Sequence, residues 1–378
     1  MDMRSVILVG SGWHPPLFRA EANSLAGPIE TLHPRMVFAT VEGSSMALLT
    51  KSSLVESALH SSCRLWEPSG ITSKELAGKI GEWADKFLPN GKFSVRARKF
   101  GSGIAGISRR DIEVDSGAII ASSTKTVDLL EPEFEVIVII AGKADSPSHP
   151  DPFCQNDDLI VWGIKENEIS GPYSSISPTE RPFFKPITLD PRLARLMVNL
   201  SYSGGNFPKV IVDPFCGTGG IAIEAHKIGL EVLASDLDEE MVEGTRKNLN
   251  RGEGLGKFTV CRNHADSVHE KWGMIPGCAF VFDPPYGRNT RISDDSLHVI
   301  LGALNSATQM RASSVCMMLP VSSELIDDHI PSDLAVFDKE WKDVIADFHS
   351  NGWDVNFHHV VRVHKSLSRM VLVCNPSD

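Results

Sequence analysis

Hydrophobic and polar positions alternate at two periods along this chain, and the switches between them outline its elements. Near the N-terminus SVILVG reads as a strand, PPLFRAEANSLAG as a helix opening at proline, and RMVFATVE as a second strand. SKELAGKIGEWADKFL carries apolar residues at helical spacing, with Ser73 placed to cap it. KFSVRARKF alternates like a strand, SRRDIEVDSGAIIASS follows a helical period, and EFEVIVIIAG is the continuous apolar run of a buried strand. Strands and helices in this order, with some strands adjoining, predict an α+β region with a ferredoxin-like layer.

From about Lys143 to Asp158 the pattern lapses into KADSPSHPDPFCQNDD, whose Pro, Ser and Asp content marks a linker or long loop. LIVWGIK returns briefly as a strand before more loop, NEISGPYSSISPTERPFFKP. Helix DPRLARLMVNLSY then opens a region where short apolar strands (KVIV, EVLASD, KFTVCR, AFVF, SVCMML) alternate with helical stretches (GGIAIEAHKIG, DEEMVEGTRKNLNR and Ser296 to Gln309). That alternation predicts a Rossmann-like, doubly wound parallel sheet. The last two strands, DVNFHHVVRVHK and SRMVLVCN, lie too close in sequence for a helical crossover, so an antiparallel hairpin at the sheet edge is expected. The expected organisation is an N-terminal α+β domain over 1–142, a linker over 143–180 and a Rossmann-like domain over 181–378.

Composition narrows the class. With 378 residues, 42% hydrophobic and 22% charged, the chain has the make-up of ordinary globular domains and the length for two or three. Its apolar runs, such as Val136 to Ala141, fall far short of the roughly 20 residues a membrane-spanning helix needs. The N-terminal stretch MDMRSVILVGSGWHPP lacks the pattern of a secretion signal. The seven cysteines are scattered, with no C-x-x-C pair and no Cys/His cluster, so neither a disulfide framework nor a metal site is expected and a reduced, cytoplasmic setting fits.

The net charge of −11 argues against a nucleic-acid partner only until its distribution is considered. Residues 111–180 hold fourteen acids against three bases, while 88–110 hold six bases and no acid. Arg96, Arg98 and Lys99 on an expected strand, with Arg109 and Arg110 at a helix start, are candidates for contact with RNA phosphates, although a solvated strand edge would carry the same charges. Arg362, His364, Lys365 and Arg369 near the C-terminus form a second candidate patch, and His358 and His359 read as structural.

Candidate chemistry sits in the second region. In VIVDPFCGTGGIAIEA a strand ends at Asp213 and a helix begins near Gly219, so Gly217, Gly219 and Gly220 would let backbone approach a ligand at that helix N-terminus. A tight strand–helix turn without a ligand would need the same glycines. Asp236 ends the next strand, 23 residues beyond Asp213, near the spacing at which an acid holds a ribose diol. Asp213 beside the turn would repel a pyrophosphate but could pair with an ammonium group, which favours S-adenosylmethionine over NAD or ATP. Phe215, Cys216 and Thr218 in the turn, Leu237 after Asp236, Asp266 in NHADSV and Phe184 in RPFFKP complete the candidate cofactor set, with Asp266 placed for the adenine amino group, although Asp266 alone would equally suit a loop and Phe183 with Phe184 a hydrophobic plug. VGSGWHPP imitates a glycine loop, but Pro15 stands in place of its last glycine.

AFVFDPPYGRNT follows the fourth strand of the region and would share that end of the sheet. Pro284 and Pro285 stiffen the loop and remove two donors, leaving the Pro284 carbonyl and the Asp283 carboxylate as acceptors and Tyr286 as an aromatic face. This set suits an exocyclic amine: its two N–H groups would be held by Asp283 and Pro284, and Tyr286 would stack on a base drawn out of its helix. A rigid Pro-Pro turn with a capping Asp would look the same in isolation; following the glycine motif by about seventy residues, it reads as catalytic.

DPFCGTGG, SDLD and DPPYG in this order resemble class I S-adenosylmethionine-dependent amino-methyltransferases. With RPFFKP, DPRLARLMVNL and RVHKSLSRMVLV added, residues 181–378 are similar to the archaeal tRNA guanosine-10 N2-methyltransferase family, and FSVRARKFG with its neighbours more loosely resembles that family's THUMP RNA-binding region. The resemblance implies transfer of one or two methyl groups to N2 of a tRNA guanine, catalysis by Asp283, and cofactor binding by Asp213, Gly217 and Asp236; whether a small activating subunit is a partner, the sequence leaves open. Lys185 departs from the family's PFFHP, and the acidic 111–180 segment leaves the RNA path open. Other readings stay open: another tRNA position or rRNA, adenine N6 in DNA, or a non-catalytic RNA-binding subunit, the last opposed by intact Asp213, Asp236, Asp283 and Tyr286. The earlier DPFC, Asp151 to Cys154, has no strand before it or glycine turn after it and reads as linker.

Overall fold

The computed structural model describes residues 3–143, 158–170, 173, 177–186, 188–202, 207–251, 254–285, 294–321, 333–336, 339–364 and 367–377. The chain divides into two units, Met1–Thr50 with Leu54–Pro172, and Lys51–Ser53 with Tyr173–Asp378.

The first unit contains β1 (Met3–Gly10), α1 (Pro15–Ala26), β2 (Ile29–His33), β3 (Met36–Glu42), α2 (Gly43–Leu49), β4 (Val55–Trp66), α3 (Ser73–Phe87), β5 (Gly91–Phe100), α4 (Arg109–Ile120), β6 (Lys125–Val127), β7 (Phe134–Ala141) and β8 (Leu159–Ser170). Its eight strands form one mixed sheet in the order β2-β3-β1-β4-β8-β7-β5-β6. The expected linker 143–180 therefore needs correction. Residues 159–170 form β8, which pairs antiparallel with both β4 and β7. Ile160, Trp162 and Ile164 pack into one core cluster and Leu159 and Val161 into another. A strand apolar on both faces has to be covered on both, which a linker cannot provide. Residues 144–157, with the first DPFC, lie outside the described residues.

The start of α3 also differs in detail. Thr72, not Ser73, is its N-cap: the Thr72 hydroxyl accepts from Glu75 N, and the Glu75 carboxylate accepts from Thr72 N. The T-x-x-E spacing satisfies two orphan donors at once, which Ser73 could not do. Ser73 instead accepts from the backbone N–H of Ser108, the N-cap of α4.

The second unit contains α5 (Pro191–Leu200), β9 (Val210–Asp213), α6 (Gly220–Lys227), β10 (Glu231–Asp236), α7 (Glu239–Arg251), β11 (Phe258–Arg262), α8 (Val268–Trp272), β12 (Ala279–Phe282), α9 (Asp294–Gln309), β13 (Ser314–Val321), β14 (Ala335–Val336), β15 (Lys339–Glu340), α10 (Trp341–Ser350), β16 (Trp353–His364) and β17 (Leu367–Pro376). Seven strands form a Rossmann-like sheet in the order β11-β10-β9-β12-β13-β17-β16. β9 to β13 pair in parallel, while β17 runs antiparallel to β13 and to β16. The expected terminal hairpin is thus present, with β16 at the edge. The short α8 and α10 and the β14–β15 ribbon were not anticipated. β9 and β12 are only four residues long, and every residue of β12 is buried, as a central parallel strand requires. Phe280 and Phe282 from β12, Leu297 and Ala303 from α9 and Phe348 from α10 meet in the core on one side. Chain order reverses between β9 and β12, and ligands bind beyond the carboxyl ends at such a switch point.

Among the described residues no helix is long and apolar enough to cross a membrane.

Candidate active site at the carboxyl ends of the second sheet

The turn after β9 is built by its glycines and tied from two sides. Gly217 has φ +51° and Gly219 φ +83°, left-handed conformations that a side chain would strain. A Cβ on Gly219 would also lie 3.0 Å from the Thr245 side chain on α7. Thr245 Oγ1 donates to Gly217 O at 2.8 Å, Cys216 N to Ser235 O at 2.8 Å, and Gly217 N to Asp236 Oδ2 at 2.9 Å. Beneath the turn α6 is anchored by Glu224, fully buried, which accepts from Arg195 at 2.8 Å and Lys227 at 3.2 Å. Such a pair fixes geometry more than it adds stability.

Three carboxylates gather at this end. Asp213, the last residue of β9, is 1% exposed and accepts from Phe215 N at 3.2 Å. Burial pushes its carboxyl well above the usual range, opposed by the Phe215 N–H and reinforced by the charges of Asp236 and Asp283. Burial and the charges of Asp213 and Asp236 likewise push the Cys216 thiol up. Asp236 accepts from Gly217 N and, through Oδ1, from Asp238 N at 3.0 Å. Its two oxygens offer about four lone-pair directions, so acceptor capacity toward a diol remains. Asp283 follows β12 and binds Arg369 Nη1 through Oδ2 at 2.7 Å, with side chains 17% and 15% exposed. Pro284 is buried and Pro285 exposed; Tyr286 lies outside the described residues.

The remaining cofactor candidates fall around the turn. Thr218 is buried, its hydroxyl 3.0 Å from that of Thr188, and the Phe215 ring packs at 5.3 Å against that of Phe282, tilted by 56°. Leu237 and Phe184 are exposed, at 50% and 41%. Asp266 is exposed, accepts from Ser267 Oγ at 2.6 Å, and packs where a Cβ on Gly302 of α9 would come within 2.8 Å of its own Cβ. The RPFFKP segment is pinned to α7: Asn248 accepts from Phe183 N at 2.9 Å and donates to Phe183 O at 2.8 Å and Thr218 O at 2.9 Å. Gly244 admits the Phe183 ring, since a Cβ there would collide with it. Lys185, the departure from PFFHP, pairs with Glu240 at 2.8 Å.

Sequence reasoning missed Thr245, Asn248 and Arg369. The first two are polar residues in a helix otherwise read for its apolar face. Arg369 had been grouped with Arg362, His364 and Lys365 as a phosphate-contacting patch; the structure places it on Asp283 instead. The hairpin itself was the available signal, because an antiparallel last strand brings its first residues to the carboxyl ends of the parallel ones. Arg362 is exposed.

In the first unit the basic candidates do not share one face. Alternation along β5 puts Lys99 with Phe93, Val95 and Ala97, under α4, and Arg96 and Arg98 on the other side. Arg96 donates to Leu129 O at 2.9 Å. Arg109 and Arg110 are exposed in the first turn of α4 and line a cavity of about 400 Å³ with Ala97, Ser108 and Glu113.

Comparison with known proteins bears on the chain as a whole. The family described as UPF0020, RMKL-like, methyltransferase domain, matches residues 178–328. The chain is 32% identical over 287 residues to the tRNA (guanine(10)-N2)-dimethyltransferase of Methanothermobacter thermautotrophicus, covering 74% of this chain and 72% of that protein. It is 31% identical over 220 residues to the enzyme of that name from Pyrococcus abyssi, covering 58% and 60%. Among solved structures, TrmN from Thermus thermophilus aligns over 99% of this chain and 100% of its own, at 20% identity and a TM-score of 0.47.

Proposed function

This chain belongs to the tRNA (guanine(10)-N2)-dimethyltransferase family, and from that premise we propose that it methylates the exocyclic N2 amine of guanosine 10 in tRNA, using S-adenosylmethionine. The carrying observation is the gathering of Asp213, Asp236 and Asp283 around the glycine turn at the switch point of the sheet. Such a concentration of negative charge suits a ligand that brings an ammonium and a sulfonium, and the positive-φ glycines leave room for its close approach. The residues therefore fit the cofactor: Asp213 toward the ammonium, Asp236 toward the ribose hydroxyls, Leu237 and Asp266 toward the base, and Phe184 as an exposed ring beside the turn.

When bound, S-adenosylmethionine supplies a methyl group on positively charged sulfur. The chain's own part is to orient the amine and manage its proton. Asp283 and the Pro284 carbonyl would accept the two amino N–H groups and aim the nitrogen lone pair, and Asp283 would take up the proton released on transfer. Tyr286, from the sequence alone, would stack on the extruded guanine. Positioning of this kind supplies much of the rate.

For recruitment we favour Arg109 and Arg110, exposed beside a cavity, over Arg96, whose guanidinium already serves the Leu129 carbonyl. The six described cysteines are free, which suits a cytoplasmic setting. A small activating subunit is required if the chain alone is inactive and gains turnover in cell extract.

The test is nucleoside mass spectrometry of tRNA incubated with the protein and labelled cofactor. N2-methyl- and N2,N2-dimethylguanosine should appear, vanish when G10 is replaced by adenosine, and vanish with Asp283→Ala. Methyl on adenine, or product unaffected by Asp283→Ala, would overturn the reading.

A further inference from the structure

Asp283 needs its charge in a place that resists it. Asp236 from β10 crowds the same end of the sheet with like charge, and Asp213 from β9 adds a buried carboxyl whose proton the charge of Asp283 helps to retain. A carboxylate among carboxylates takes up a proton more readily, and a protonated Asp283 could neither orient an amine as an acceptor nor receive its proton. Facing these acids from β17 is Arg369, whose Nη1 lies 2.7 Å from Asp283 Oδ2. Both side chains are largely buried, so solvent screens this contact far less than a surface pair.

The backbone explains how Arg369 arrives there. β12 pairs in parallel with β13, Phe282 opposite Met317, and Arg369 pairs antiparallel with Pro320, three residues further along β13. Arg369 thus stands two strands from Asp283, just beyond the level where β12 ends, and its long side chain spans the gap.

We propose that Arg369 is a positioning residue for methyl transfer: its guanidinium keeps the Asp283 carboxylate ionised among like charges and fixes its orientation toward the guanine amine. This rests on Asp283 being the catalytic carboxylate. As the N2–C bond forms and the S–C bond breaks, the electron pair of the latter stays on sulfur. N2 then carries a positive charge until its proton passes to Asp283. Arg369 makes no contact with either substrate in this scheme and acts through Asp283.

The experiment measures kcat against pH at saturating tRNA and S-adenosylmethionine for wild type, Arg369→Gln, Arg369→Lys and Asp283→Ala, with thermal midpoints alongside. A neighbouring Arg lowers an Asp pKa by about one to three units, so Arg369→Gln should move the acidic limb of kcat upward by about that much, with kcat recovering at alkaline pH. KM for both substrates should stay near wild type. Arg369→Lys, shorter and with a single ammonium, should move the limb in the same direction by less, and it carries the test if the Gln variant fails to fold. An unmoved limb in both variants, or a loss of kcat uniform across pH, overturns the positioning role. If Asp283→Ala retains turnover, the catalytic assignment of Asp283 itself falls. If Asp283→Ala is dead and the Arg369 profiles match wild type, the failure is confined to Arg369.

Discussion

Asp236→Ala separates the support that this carboxylate gives the turn from the ribose contact proposed for it. In the protein alone the side chain accepts from Gly217 N at 2.9 Å and Asp238 N at 3.0 Å. Hydrogen bonds to a charged partner contribute about 1.5–3 kcal/mol each, so the substitution costs stability as well as any bond to a ribose. The turn should nevertheless persist, because Cys216 N to Ser235 O and Thr245 Oγ1 to Gly217 O are independent ties. Two ribose hydroxyls held at the lower end of that range amount to about 3 kcal/mol, or a roughly 100-fold rise in Kd. Asp236→Asn keeps one acceptor oxygen but turns an amide toward a backbone donor, so a rise of about 10-fold is expected. Thr245→Ala serves as control: it loosens the turn by a neutral bond worth about 1 kcal/mol, so its Kd should rise less than about 10-fold. Isothermal titration with S-adenosylmethionine reads the constants and thermal unfolding reads the turn. A Kd within about two-fold of wild type for Asp236→Ala, accompanied by a lower thermal midpoint, would refute the ribose role and leave Asp236 as a support for the turn alone.

Asp213 gives a prediction with a definite sign. Its folded pKa is raised, so the stability it contributes is fully present below the unfolded value and is lost as pH rises through the folded one. Asp213→Asn, which keeps an acceptor for Phe215 N, should therefore raise the thermal midpoint above pH 7 while weakening S-adenosylmethionine binding; a lowered midpoint at that pH would refute it. Gly219→Ala forces alanine to φ +83° against Thr245 and should cost about 1–2 kcal/mol before any steric term, visible as a drop of several degrees in thermal midpoint together with weaker cofactor binding. Charge reversal at Arg109 and Arg110 should weaken tRNA binding and flatten the salt slope by about two, and more so than reversal at Arg96 and Arg98; equal effects would place RNA on both faces of β5.

What the sequence could reveal follows from where the determinants lie. The strand–helix alternation and the short apolar strands are local patterns, so β9 to β13 and the closing hairpin were readable, as was the pairing of the glycine turn with an acid one strand later. β8 was recognised as a strand but assigned to a linker, because its sheet partners lie 18 or more residues away in β7 and further in β4. The cap of α3 was misplaced by one residue because Ser73 and Thr72 are both capping types, and only the reciprocal Glu75 contact decides between them. Thr245 and Asn248 serve the site through bonds to backbone carbonyls and amides of the turn and of RPFFKP, a use that leaves no trace in hydrophobic periodicity. The basic stretch 88–110 looked like one patch in sequence, yet period-two alternation along β5 divides it between two faces.

Asp213 and Asp283 close neighbouring parallel strands and begin as the same chemical group, and the fold drives them apart. Burial raises Asp213, so its proton leaves readily only when a cation arrives; ligand ammonium would supply that cation and bind more tightly as pH rises. Asp283 is held by Arg369, which favours its charged form before the proton of the amine arrives. Carboxylates whose environments diverge in this way suit different roles, here, on the proposed assignment, one for binding and one for proton transfer. The divergence depends on the direction of one strand. Had β17 run parallel to β13, its last residues, Asn375 and Pro376, would meet the carboxyl ends and could supply no charge. Running antiparallel, it presents its third residue, Arg369, at the level of Asp283. The terminal hairpin therefore does more than finish the sheet: it delivers a counter-charge to Asp283, which on the proposed assignment would let two adjacent aspartates do different chemistry.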